Sequence, residues 1–182
     1  MNGPFRGGKT HIYDGGFKVP FIARWPGTIP EGTSCDEMIS LADVLATTAA
    51  IVGEKLPSPG QGAEDSANIL PALLGEQTKA PLRTDMILHS NDGVFAIRKG
   101  PWKWIEGVPV KQIAPGIRKA HAGEFQRLLF NLKDDPRETT DVSAQHPEVV
   151  AELEALLNRY RDGGYSRELP PPASRPQQAA AR

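Results

Sequence analysis

Apolar residues in this chain fall into short runs whose spacing changes from one segment to the next. Between Phe17 and Trp25, the residues Val19, Phe21, Ile22 and Trp25 make a brief run bounded by Gly15-Gly16 and Pro26-Gly27, a length that suits a strand better than a helix. Pro20 lacks the N–H that a ladder needs, so the strand is expected to start at Phe21. From Ser40 to Val52 the period lengthens. Leu41, Val44, Leu45, Thr48, Ile51 and Val52 recur at helical spacing, Ser40 with Asp43 has the form of a capping box, and Gly53 suits the position just past the last turn. Asp43 is read as the cap of its own helix.

The stretch from Glu54 to Leu82 is rich in Gly, Pro and Ser around an apolar island, Ile69 to Gly75, read as packing. Beyond it, Met86-Ile87-Leu88 and Val94 to Arg98 flank Ser90-Asn91-Asp92-Gly93, whose Asp-Gly is a hairpin signal, and Lys99-Gly100-Pro101 turns again into Trp102-Lys103-Trp104-Ile105. The alternating aromatics there, with His89, are expected to cover a half-buried sheet face. Pro147 opens a helix with an apolar stripe of Val149, Val150, Leu153, Leu156, Leu157 and Tyr160, closed by Gly163-Gly164. The Pro/Ala/Gln-rich segment 163–182 that follows is expected to be disordered.

Composition narrows the function classes. A formal charge of -1 over 182 residues gives no electrostatic footprint for nucleic acid or an anionic membrane, so neither partner is expected. No apolar run approaches the length of a transmembrane helix. The single cysteine, Cys35, has no Cys-centred motif around it and is read as an ordinary thiol. No secretory leader is readable at the N-terminus, and localisation stays open.

The densest signal lies near the start, in Arg6-Gly7-Gly8-Lys9, then Tyr13-Asp14-Gly15-Gly16, Val19-Pro20-Phe21 and Trp25-Pro26-Gly27. Glycine pairs allow positive φ and close backbone approach, and a loop so built can hold a lysine over an anion, although such pairs also simply make turns. In this order and spacing the segment resembles the arylsulfatase pattern L-R-G-G-K-G-x-x-Y-E-G-G-x-R-V-P-x-x-x-x-W-P-G. Thr10 stands where that pattern has glycine, Asp14 where it has glutamate, and Lys18 where it has arginine. His11 falls on a variable position and is read as a loop histidine. Further on, Ala96 to Ile105 is similar to the family's A-I-R-x-G-x-W-K-x-I, and Phe130 to Val142 to its Y-D-L-x-x-D-P-x-E-x-x-N-L, a strand and a tight turn. Asp134 and Asp135 are read there as an Asx-type turn, since no calcium-binding loop follows.

The resemblance, continuous from about Asn2 to Arg161, carries implications for fold and chemistry. It implies an α/β (α+β) fragment, the C-terminal part of a sulfatase fold, with a remnant of the large α/β sheet and a small antiparallel sheet packed on a C-terminal helix. The expected units are 1–82, the end of the catalytic domain, 83–162, the small subdomain, and 163–182, the tail. Lys9 takes the catalytic and substrate-binding role of the family lysine that contacts an oxygen of a sulfate ester. Asn2-Gly3 looks like the end of a metal pair, which makes Asn2 the candidate ligand for calcium, although Met1 stands where the pair's aspartate belongs. The formylglycine motif C/S-x-P-x-R is not found: Cys35 is followed by Asp36-Glu37-Met38-Ile39. The chain is therefore expected to lack the N-terminal catalytic portion and to be inactive alone. Three functions stay open: part of a sulfatase acting on aryl or carbohydrate sulfates, a phosphonate or phosphodiester hydrolase of the same alkaline-phosphatase-like superfamily, or a non-catalytic anion-binding module.

Overall fold

The computed structural model describes residues 3–58, 60–91, 93–107 and 127–167. Its centre is a four-stranded antiparallel meander in the order β1 (Asp85–His89), β2 (Phe95–Lys99), β3 (Trp102–Ile105) and β4 (Leu128–Asn131). Ile97 pairs with Trp104, and Trp104 with Leu129, so their side chains line one face; Ala96, Ile105 and Phe130, each one residue away, line the other. The period-2 pattern thus gives the sheet two apolar faces, and each must be covered.

Helix α3 (Pro147–Gly163) covers the first face. Its stripe of Leu153, Leu157 and Tyr160 is buried with Ile97, Trp104 and Leu129. Proline in the first turn and Gly164 at φ +76 past the end fix its limits. Trp104 is thereby a core residue, Trp102 stacks on His146 at 4.8 Å, and exposed His89 lies 4.5 Å from the Phe95 ring. The small antiparallel sheet with its C-terminal helix is as the sequence implies.

The second face is covered by the glycine-rich loop: Ile12 and Tyr13 are buried with Val94, Ala96, Ile105, Phe130 and Leu132. Loop, sheet and helix make three layers.

Helix α1 (Asp43–Val52) starts three residues later than the Ser40 boundary read from the sequence. Asp43 accepts the Ser40 N–H at 2.7 Å, as a cap should, but it is also fully buried, accepting the Ala67 N–H at 2.9 Å and pairing with Arg83. It ties the segment after α1 back to the helix start. The short helix α2 (Leu70–Leu73) is anchored by the Thr47 hydroxyl, which accepts the Ile69 N–H at 3.1 Å.

One expectation fails. Residues 17–25 carry no strand among the described residues. Ladder hydrogen bonds make a strand, and no partner pairs with this run here. Val19, Phe21, Ile22 and Trp25 are instead exposed, as are Leu41, Val44, Leu45, Ile51 and Val52 on and beside α1. The expected disordered tail lies, from residue 168 on, outside the described residues.

Candidate functional site

The glycine-rich loop folds back on itself through backbone bonds. The His11 N–H donates to the Gly8 carbonyl at 2.9 Å, closing a four-residue turn with Lys9 and Thr10 at its tip. Thr10 has φ +83, the value that the third position of a type II turn demands and that glycine adopts without strain. The glycine of the sulfatase pattern at this position therefore has a conformational reason. Thr10→Gly is expected to raise stability by about 1 kcal/mol, since relief of a left-handed β-branched residue outweighs the added freedom of the unfolded chain; a melting temperature that falls on this substitution contradicts the strain.

Gly15 and Gly16 do a different job. The Gly15 N–H donates to the Arg6 carbonyl at 2.8 Å, and a Cβ on Gly15 would overlap that oxygen and stand 2.6 Å from the Gly7 oxygen. A Cβ on Gly16 would overlap the His11 oxygen. The two ends of the loop touch backbone to backbone, which only glycine permits. The Asn91 N–H, in the turn between β1 and β2, donates to the Thr10 carbonyl at 3.2 Å and pins the tip to the sheet.

Below the tip lies a buried ionic cluster. Lys103 on β3, wholly enclosed, places Nζ 2.8 Å from Asp14 Oδ1 and 2.7 Å from Glu138 Oε1. The Asp14 N–H donates to Glu138 Oε2 at 2.6 Å, and Arg6, stacked 3.8 Å above the Tyr13 ring, donates to the Glu138 carbonyl at 2.8 Å. At the rim Lys18 lies 3.2 Å from Asp14 Oδ2. Burial pushes the Asp14 carboxyl up, but the ammonium groups of Lys103 and Lys18 outweigh it and hold it below the ordinary 3.8. Burial also pushes Glu138 up, and there Lys103 and the Asp14 N–H offset only part, so it stays above 4.5.

The Asx-type turn read at Asp134-Asp135 is built by Asp135, whose carboxylate accepts the Thr139 and Thr140 N–H groups at 2.7 and 2.8 Å. Burial raises its carboxyl, but the backbone donors together outweigh it and hold it below the ordinary value. A carboxyl depressed in the folded state contributes stability above its unfolded value and loses it as pH falls through the folded one. Asp14 and Asp135 both act in this sense, whereas Glu138, raised, contributes best at low pH and less as pH rises through its folded value. Unfolding is accordingly expected to steepen below about pH 3.8, with Asp14→Asn flattening part of that limb in thermal melts across pH.

Lys9 itself is exposed at the tip of the turn, so its ammonium is open to an incoming anion. His11 points back toward Gly7, where a Cβ would lie 3.1 Å from its side chain. Asn2 lies outside the described residues. Among those described, no three His, Cys, Asp or Glu side chains cluster as metal ligands would, so nothing in them fits the calcium that the sequence resemblance implies. Sequence reading assigned no role to Lys103, Glu138 or Arg6. The available signal was a lysine alternating with two tryptophans on a strand, a position that reads as the wetted face of a sheet.

No family model matches the chain. Individual proteins do. The chain is 35% identical over 155 residues to the N-acetylgalactosamine-6-O-sulfatase of Bacteroides thetaiotaomicron, an alignment covering 85% of this chain and 29% of that one. It is 40% identical over 182 residues to the steryl-sulfatase of Rattus norvegicus, covering 87% of this chain and 31% of the relative. A solved structure concerned with the metabolism of multiple glycosaminoglycans by Bacteroides thetaiotaomicron superposes with a TM-score of 0.74 at 34% identity, over 88% of this chain and 32% of that one.

The chain belongs to the sulfatase family.

It spans about a third of the length of the relatives it matches. Its four-stranded sheet and helices correspond to the C-terminal part of the sulfatase fold. Within that family portion, the glycine loop and the sheet are one packed unit, joined by the Ile12 and Tyr13 core and by the Asp14–Lys103–Glu138 cluster.

Proposed function

We propose that this chain supplies the C-terminal portion of a sulfatase that hydrolyses sulfate esters, aryl or carbohydrate, and that Lys9 is the cation meeting an oxygen of the sulfate. The observation that carries this reading is the exposed lysine on a turn whose backbone is tightly determined from beneath. As the bond from sulfur to the leaving oxygen breaks, negative charge grows on that oxygen. A cation already in place stabilises that charge most where water is excluded, without reorganisation at the moment of reaction. Lys9 acts here by electrostatics, not as a base.

The nucleophile and the calcium implied by the resemblance have no counterpart among the described residues, and no step is assigned to them. The names of the relatives, an N-acetylgalactosamine 6-sulfatase and a steryl-sulfatase among them, favour sulfate over phosphonate or phosphodiester substrates.

A chimera tests the proposal: this chain replaces the matched third of the Bacteroides N-acetylgalactosamine-6-O-sulfatase. Turnover of a chromogenic aryl sulfate or of 6-sulfated N-acetylgalactosamine is expected from the chimera and none from the isolated chain. A chimera that melts cooperatively yet hydrolyses only a phosphodiester, or nothing, sinks the sulfatase reading.

A further inference from the structure

The interface between loop and sheet holds more charge than its packing requires. Lys103 sits in the register of β3 between Phe130 on β4 and Arg98 on β2, on the face whose buried residues Ala96, Ile105 and Phe130 are apolar. An apolar side chain of similar length would fill that place without removing an ammonium from water, and buried ion pairs are commonly no more stabilising than such replacements. Its presence calls for a reason other than stability.

The contacts of the cluster point to one. Lys103 reaches two carboxylates, and both are tied to the loop. Asp14 is in the loop itself, and Glu138, in the connection between β4 and α3, takes the Asp14 N–H on one oxygen and the Arg6 guanidinium on its carbonyl. Glu138 also has φ +54, a left-handed conformation that a non-glycine residue keeps only where its surroundings over-determine it. Arg6 and Asp14 flank the Lys9 turn on either side, so fixing both fixes the base from which the turn projects.

We propose that Lys103 is a positioning residue, whose paired contacts with Asp14 and Glu138 lock the loop of residues 6–16 to β3 and so set where Lys9 stands. The consequence for sulfate rests on the function proposed above; the lock itself does not. Two carboxylates meeting one ammonium give it direction as well as strength. The two carboxylates belong to different segments, the loop and the connection after β4, so a shift of the loop along the sheet breaks a charged contact before it loses much apolar area. The charged groups facing Lys103 are Asp14 from the loop, Glu138 from the connection after β4, and Arg98, its cross-strand partner on β2. Lys18 stands behind Asp14, Arg6 approaches through the Glu138 carbonyl, and the Phe17 ring lies 6.0 Å away.

Amide hydrogen exchange on this chain, read by NMR without substrate, tests the lock. In Lys103→Met the amides of His11, Asp14, Gly15 and Gly16 are expected to exchange ~10-fold faster or more, while those of Ile97, Trp104 and Leu129, on the side of α3, change little. Because two stranded carboxylates could unfold the whole sheet, a second variant combines Lys103→Met with Asp14→Asn and Glu138→Gln. It keeps shape without charge, and the same loop-selective loss is expected. Asp14→Glu, which keeps the charge, is expected to restore most of the protection that Asp14→Asn removes. In the parent, loop opening should rise with acidity as Asp14 takes up its proton, and in the uncharged triple variant that dependence should vanish. Loop and sheet amides losing protection in equal proportion, or a loop that stays closed in the triple variant, overturns the proposal. Either result leaves the sulfatase reading standing, and an inactive chimera leaves the exchange result standing.

Discussion

Gly16→Ala is expected to lower the stability of this chain by about 3–5 kcal/mol, one of the larger losses available to a single methyl group. The new Cβ overlaps the His11 carbonyl oxygen and stands 2.9 Å from that of Gly8. Both are backbone atoms, and the bond from the His11 N–H to the Gly8 oxygen at 2.9 Å holds them together, so neither swings aside as a side chain could. The remaining relief is for the loop to leave the sheet. That exposes Ile12 and Tyr13, which are 1% and 2% exposed in the folded chain. At about 1.5–3 kcal/mol for each fully buried large side chain, undocking sets the scale of the loss. For a chain of this length the melting temperature should fall by roughly 10 °C or more. Gly27→Ala is the control: its φ is +76 but nothing lies within 4 Å of the added methyl, so backbone strain alone, about 1 kcal/mol, is expected. Equal losses at the two positions would mean that the close approach at Gly16 does not hold the loop.

The contrast between those glycines also shows what a sequence can and cannot disclose. Elements governed by local periodicity were legible. The α1 and α3 stripes, their terminal glycines and the alternation in β2 and β3 each carry their fold in neighbouring residues. Residues 17–25 were not legible as they stand, because an apolar run becomes a strand only when another segment offers a ladder, and the run itself contains no sign of whether one does. Lys103 was hidden for a related reason. In Trp102-Lys103-Trp104-Ile105 the alternation reads as a sheet with one wetted face, and the loop that covers that face lies 89 residues earlier at its Asp14 contact. Glu138, the other carboxylate, lies on the far side of Lys103 in the chain, 124 residues from Asp14. The resemblance quoted Asp14 and Glu138 as letters in two separate patterns, yet only the folded chain brings them to one ammonium.

In the sulfatase chimera, Lys9→Ala is expected to reduce kcat/KM by about 10²–10³, the range seen when one preorganised electrostatic contact to a developing negative charge is removed. The position of Lys9 makes this separable from folding. Its side chain is exposed at the tip of the turn, and the loop is held from beneath by the Gly15 and Gly16 contacts and by Lys103, not by Lys9. The melting temperature should therefore shift by no more than roughly ±0.5 kcal/mol allows. A cation that only gathers the anionic ester raises KM when lost and leaves kcat alone, whereas one that meets charge growing in the transition state lowers kcat. The second pattern is expected, because the sulfate already carries charge in the ground state and gains more on the leaving oxygen. Lys9→Arg keeps the charge but spreads it over a planar fork on a longer side chain, and should recover only part of the loss. A full-strength chimera with alanine at this position would leave the glycine loop a purely structural bend, packed on the sheet for the sake of Ile12 and Tyr13.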